Sequence, residues 1–218
     1  MKIEKVEVVC AVCGAKVEVN KVLSYSTRSA PDLDLRYPYM DVALGIEECP
    51  HCHYCSYDIS KMEASDYPNE LNKDRWINDE EVKDIVEKCG DNVTLRKCLI
   101  MAYRAKCNIK SEQQYRMLLK ASWVTEGSDI GKELKTKAVE VYMEEIGEGN
   151  LSELLSFADV ARMAGEFDVA KAFAKAAKEL SVLSDDDGFL SRVCDYELTL
   201  IDKQDTTRHS TSEVDGEE

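Results

Sequence analysis

Cys10, Cys13, Cys49 and Cys52 form two Cys-x-x-Cys hooks separated by 35 residues. Each hook presents two thiolates from one tight turn, and two hooks can close a tetrahedral four-sulfur shell around a single soft cation. The chain must therefore fold so that two distant turns face each other. Gly14 follows the first hook, where the turn calls for a positive φ. Pro50 lies inside the second and stiffens it. The pattern predicts one structural zinc ion held by Cys10, Cys13, Cys49 and Cys52. A single iron is the alternative, since a rubredoxin uses similar hooks. His53 stands where a rubredoxin-like second hook carries Gly, and His is among the few other residues that tolerate positive φ. Four sulfurs leave no open coordination position, so catalysis at the metal is not expected.

The second hook is crowded, with His51 between its two ligands and Cys55 just beyond it. Cys55 has two readings: an accessory thiol able to exchange with a ligand under oxidation, or a small core residue. Cys89, Cys98 and Cys107 recur at nine-residue steps. Nine helical residues end half a turn out of phase, so Cys98 and Cys107 face opposite sides of a helix and make no site.

The formal net charge of −15 bears on partners. Gripping a phosphate backbone takes a basic face. Residues 1–60 hold six Lys or Arg against nine Asp or Glu, so the hook region offers no local exception. Nucleic acid is therefore not the expected partner. Residues 1–9 lack the apolar core of an export signal, and no apolar run approaches the roughly 18 residues of a membrane span. Nine cysteines without an export signal fit a reducing, cytoplasmic setting in which thiols bind metal or pack in cores.

The hydrophobic pattern predicts an α+β, mainly α chain. Alternation over residues 2–9 reads as a strand entering the first hook, and residues 16–19 as the strand leaving it. Residues 22–27 read as a further strand. Residues 28–40, with two prolines, read as a loop. Residues 42–47 read as a strand delivering the second hook. A zinc-ribbon β module over residues 1–60 follows, too small to hold a core without its metal. An α-helical domain is expected over residues 69–201. Asn78 and the acidic residues after it start one helix and Gly90 ends it; Asn92 and Ser111 cap the next two. A longer helix is expected near residues 130–146, then a helix pair turned at Gly165-Glu166, then a last helix capped by Asp185–Asp187. Residues 202–218 read as an acidic disordered tail, in which His209 carries no role.

The pair at residues 151–183 has a tetratricopeptide look: Ala158, Ala170 and Ala177 are the small residues that let paired helices approach closely. The pair at residues 95–126 can be laid over it, with Ala102 matching Ala158 and Ala121 matching Ala177. On that alignment Arg96, Tyr103 and Lys106 from one pair, and Asp159 and Arg162 from the other, line a partner-binding groove. The 56-residue offset is not a multiple of the 34-residue repeat, so the array is irregular.

The segments Cys-Ala-Val-Cys-Gly (10–14), Ser-Tyr-Ser-Thr-Arg with Asp-Leu-Asp-Leu-Arg-Tyr-Pro-Tyr (24–39) and Cys-Pro-His-Cys-His-Tyr (49–54) resemble a bacterial family of uncharacterised proteins, domain of unknown function 2225. The helical remainder, including Ala-Ser-Trp at 121–123, is similar, so the resemblance covers about residues 5–200. It implies a cytoplasmic bacterial protein with an N-terminal metal ribbon and helical repeats, and it implies no activity. No phosphate-binding glycine loop, serine elbow or His-Glu-x-x-His pattern is visible, so a non-enzymatic role is expected. The favoured reading is a zinc-binding cytoplasmic adaptor with a helical surface for a protein or peptide. The alternatives are a metal or thiol redox sensor using Cys55, and a nucleic-acid-associated ribbon.

Overall fold

The computed structural model describes residues 2–26, 30–38, 40–62, 73–145, 149–182 and 188–215. It has the expected α+β, mainly α character and falls into two compact units. The first comprises residues 1–26 and 41–126, and the second residues 27–40 and 127–218. The division does not follow the expected boundary at residue 60, because helices after residue 72 close over the second hook within the first unit.

In the first unit, β1 (Lys2–Val9) pairs antiparallel with β2 (Lys16–Ser24), with Val9 opposite Lys16 and Val6 opposite Val19. Alternation buries Val17 and Val19 on one face. The expected strand at 22–27 is the end of β2 and stops at Ser24. A second short pair, β3 (Glu47–Glu48) and β4 (Cys55–Ser56), flanks the second hook. Most of the strand expected at 42–47 is instead a run of turns. The Asp41 side chain accepts from the Ala43 amide at 3.0 Å, and Gly45 takes φ +80°. This local Asx hydrogen bond competes with strand geometry and wins.

Among the described residues, four helices complete this unit: α1 (Lys73–Asn78), α2 (Glu80–Cys89), α3 (Val93–Cys107) and α4 (Ser111–Val124). Asp79 caps α2 by accepting from the Glu81 and Val82 amides, and Asn92 caps α3 through the Leu95 amide. Ala102, Ala105 and Ala121 are buried where α3 and α4 meet. The sequence reading missed α1, whose Trp76 is among the largest fully buried side chains.

The second unit contains α5 (Asp129–Glu145), α6 (Leu151–Ala164), α7 (Phe167–Ser181) and α8 (Phe189–Asp202). Asn150 caps α6, and Gly165 ends it in the left-handed conformation at φ +85°. The Asp185–Asp187 cap expected for α8 lies outside the described residues. Helices α5, α7 and α8 all pack on α6, so every residue from Leu154 to Ala164 is buried. Ala158, Ala170, Ala174 and Ala177 are fully covered and permit the close approach of α6 and α7. Leu33, Leu155, Val193 and Leu200 share this core.

Residues 203–215, expected to be disordered, are folded onto the second unit and end in a 3-10 turn (Thr211–Asp215). Charge content misled the reading: the polar groups of this segment are matched by buried charges of the helices. Among the described residues, no helix is long and apolar enough to cross a membrane.

Gly149 shows how tightly α5 and α6 are joined. A Cβ there would lie 2.0 Å from the Tyr142 hydroxyl, and the Tyr142 ring stacks on Phe157 at 3.8 Å between centroids. Gly149→Ala is expected to cost about 1–3 kcal/mol by overpacking, read as a lower urea midpoint with unchanged slope.

Candidate metal centre

Each hook is the turn of a hairpin. The first joins β1 to β2 and the second joins β3 to β4. The two turns are built alike. Gly14 N–H donates to the Cys10 carbonyl at 2.9 Å, and Cys10 N–H to the Ala15 carbonyl at 2.9 Å. His53 N–H donates to the Cys49 carbonyl at 2.8 Å, and Cys49 N–H to the Tyr54 carbonyl at 2.9 Å. Both turns therefore need a positive φ four residues after the first cysteine. Gly14 supplies it at +74° and His53 at +56°. For His53 the left-handed conformation costs on the order of 1 kcal/mol. Its Nδ1 lies 2.8 Å from a Glu48 carboxylate oxygen, an interaction able to offset that cost.

The four sulfurs lie within 4.8 Å of one another. Cys10 and Cys52 are 3.7 Å apart, and Cys13 and Cys49 3.6 Å. A tetrahedron of metal–sulfur bonds of about 2.3 Å has sulfurs about 3.8 Å apart, so the cluster fits one metal ion. A disulfide needs about 2.05 Å. Backbone amides point at the sulfurs: His51 and Cys52 at Cys49, Tyr54 at Cys52, and Ala15 at Cys13. Burial raises the Cys49 and Cys52 thiols. At Cys13, burial is outweighed by the Ala15 amide and neighbouring thiols, which bring its titration down. Metal binding displaces these protons and depends on pH.

The helices of the first unit grip the second hook at three points. Trp76 donates its indole N–H to the Cys52 carbonyl at 2.9 Å, and its ring meets Tyr54 edge-on. Arg96 holds the buried Glu48 carboxylate through two nitrogens, at 2.7 and 3.3 Å, and donates to the Gly90 carbonyl at 2.7 Å. Arg104 donates to the Cys55 carbonyl and lies over the Tyr54 ring, 4.7 Å from its centroid. None of these partners was singled out as a hook contact from sequence. Trp76 and Glu48 sit outside any motif, and only a buried tryptophan near the hooks could have hinted at the arrangement.

Cys55 is fully buried and outside the four-sulfur cluster. Burial, followed by the Glu48 charge, pushes its thiol well above the usual range. A covered, protonated thiol is a poor target for oxidants, which argues for the core reading over the redox handle. Cys98 is likewise buried, with its thiol pushed up to about 12 by burial.

The proposed groove residues have diverse placements. Lys106 is exposed. Arg96 is committed to Glu48, and the Tyr103 hydroxyl donates to Asp79 at 2.8 Å. Asp159 and Arg162 are fully buried, which corrects their assignment to an open groove. The repeat alignment placed them on the groove-lining face of a first helix, but α5, α7 and α8 all pack on α6 and leave that face covered. Arg162 pairs with Asp159, donates to Glu197 at 2.9 Å, and donates to the Asp205 and Thr207 carbonyls at 2.5 and 2.9 Å. Arg208 then inserts its Nη1 beside Asp32 (3.0 Å) and Asp34 (2.9 and 3.0 Å). His209 also has partners: Nδ1 lies 2.7 Å from Glu213 and Nε2 3.2 Å from Asp205.

No protein-family model, curated protein or solved structure matches this chain.

Two outcomes follow from this geometry. Cys52→Ser is expected to abolish stoichiometric metal binding, whereas Trp76→Phe, which removes only the indole donor, should weaken metal affinity about 10-fold, measured by chelator competition. In the second unit, burial raises Asp159 well above the usual carboxylate range, the Glu197 charge adding to it, and burial raises Glu197 too. The folded state then holds protons that the unfolded chain has released. Stability is fullest below about pH 4, the unfolded value, and falls as pH rises through the raised folded values. Asp159→Asn should flatten that fall, seen in urea midpoints across a pH series.

Proposed function

We propose that the protein is a zinc-clamped cytoplasmic scaffold whose second unit binds a protein or peptide. Zinc is the metal of choice for an all-thiolate tetrahedral shell that is closed, hydrogen-bonded by backbone amides and gripped by buried side chains. A single iron is the alternative for the same shell. On this reading the ion does no chemistry. It fixes the two hooks, and through Trp76, Arg96 and Arg104 it fixes the helices packed on them.

The observation that carries the binding role is in the second unit. There residues 209–211 pair with residues 31–33 by main-chain hydrogen bonds, the turn at 205–207 presents its carbonyls to the buried Arg162, and the Arg208 and Thr211 side chains bond to Asp32, Asp34 and the Pro31 carbonyl. Recognition of extended chain by backbone pairing plus one anchored side chain is a general mode of peptide binding. The cytoplasmic assignment rests on nine cysteines of which none is in a disulfide, and it accords with the resemblance to domain of unknown function 2225.

The test is affinity capture with the whole protein followed by cross-linking mass spectrometry. The reading predicts a specific protein whose cross-links map to lysines of the second unit, such as Lys171, Lys175 and Lys203. Cross-links confined to the hooks, or retention of RNA or DNA in place of protein, would contradict it.

A further inference from the structure

The outer edge of β1 is open. β1 pairs with β2 on one side, and among the described residues nothing hydrogen-bonds to the main chain on its other side. Cys10 N–H donates to the Ala15 carbonyl across the first hook. By the alternation of an antiparallel ladder, the even residues of β1 then bond β2, and Ile3, Lys5, Glu7 and Val9 turn their N–H and C=O groups outward. Such an edge invites another strand, and proteins that avoid pairing blunt it with proline, bulges or charged side chains. Over residues 3–9 β1 has neither proline nor bulge, the one register shift of its ladder lying between Lys2 and Ile3. Its charges are of both signs and cancel, Lys2 and Lys5 against Glu4 and Glu7, in a chain whose net charge is −15. We propose that two copies of the chain pair β1 with β1, antiparallel, about a two-fold axis at Val6, and so form one four-stranded sheet.

The side chains select both the occupant and the register. In a self-complementary antiparallel pair the axis passes between one residue and its own copy, so the central residue defines the register. Two registers use nearly the whole strand. Centring on Lys5 pairs residues 2–8, but it sets Lys5 against Lys5 of the partner subunit and Ile3 against Glu7 of the partner subunit. Centring on Val6 pairs residues 3–9 and matches every position of the outer face. Ile3 and Val9, 46% and 51% exposed in the single chain, cover each other across the axis. Lys5 faces Glu7 of the partner subunit. On the other face Val6 meets its own copy, and Glu4, already opposite Lys21, lies beside Val8 of the partner subunit. Glu7 gains most. Within one chain it stands directly opposite Glu18, a like-charge pair that weakens a ladder. Lys16 relieves it from the diagonal at 3.6 Å, while Lys5 is turned to Glu18 at 2.7 Å. A second copy brings a cation to the open side of Glu7. Exposed ion pairs contribute little stability, so main-chain bonds and the Ile3–Val9 contacts hold the pair and the charges set its register. The pairing is independent of the binding role assigned to the second unit.

The test is sedimentation velocity of the zinc-loaded full chain over a concentration series reaching the submillimolar range. Wild type should show a reversible monomer–dimer equilibrium. Lys5→Glu sets two carboxylates face to face across the new strand pair, and Glu7→Lys sets two ammonium groups there. Each change alone should weaken the dimer by about tenfold or more. Both side chains are exposed and make surface ion pairs, so the variants are expected to fold. Mixing the two variants should restore association, because each brings the charge the other lacks, and the chain carrying both changes should self-associate as wild type does. Carbodiimide coupling of a mixture of isotopically light and heavy wild-type chains should join Lys5 to Glu7 in fragments that carry both labels. A wild-type chain that stays monomeric throughout the series would overturn the proposal. So would a dimer indifferent to both single changes, a mixture that fails to associate, or Lys5–Glu7 links that never carry both labels.

Discussion

The first unit depends on one closure: two hairpin turns, far apart in sequence, brought together so that four sulfurs share one centre. Neither hairpin has the means to persist alone. The first is a two-stranded ribbon with most of one face exposed, and the second is two residues long on each side. A structural zinc ion contributes about 10 kcal/mol or more to such peptides, comparable to the whole stability of an ordinary domain. The helices add a second constraint. Trp76, Arg96 and Arg104 attach to residues next to the ligands, so the turn geometry the ion requires is also the geometry the helices recognise. The ribbon and the helices after it are therefore a single folding problem.

The second unit follows a different rule. Its core is apolar around α6 and α7, yet near the end of α6 it holds Arg162, Asp159 and Glu197 with almost no solvent. Replacing such a cluster with apolar residues is often neutral or stabilising, so charges of this kind are poor evidence of optimisation for stability alone. They make sense as the floor beneath a segment read by its carbonyls. The same segment brings Arg208 to Asp32 and Asp34, so the Asp-x-Asp loop anchors it through two carboxylates.

How far the sequence reaches can be judged from particular residues. The positive φ at Gly14 and His53, the cap at Asn92 and the stop at Gly165 rest on local chemistry, which is legible in one chain, whereas the α2 cap falls one residue after Asn78, at Asp79, and Ser111 is the first residue of α4 and makes no cap bond. Asp159 and Arg162 were misplaced because a repeat alignment tells which helix face corresponds to which, not how many neighbours the helix has. Residues 203–215 were misread for a related reason. Their polarity matches that of a disordered tail, and only the three-dimensional position of Arg162, Asp32 and Asp34 turns it into a set of partners. Trp76 was missed because α1 is short and carries no periodic pattern to mark it.

The central claim is that one ion organises the hooks and the helices that grip them as a unit. Hydrogen exchange of the intact protein, with and without a zinc chelator and with metal content measured in parallel, tests it most directly. The account predicts one zinc per chain. It also predicts that chelation removes protection from residues 10–15 and 49–55 together with α1 and α3, while α6 and α7 keep theirs. Metal-free protein whose hooks and first-unit helices remain as protected as before would contradict it.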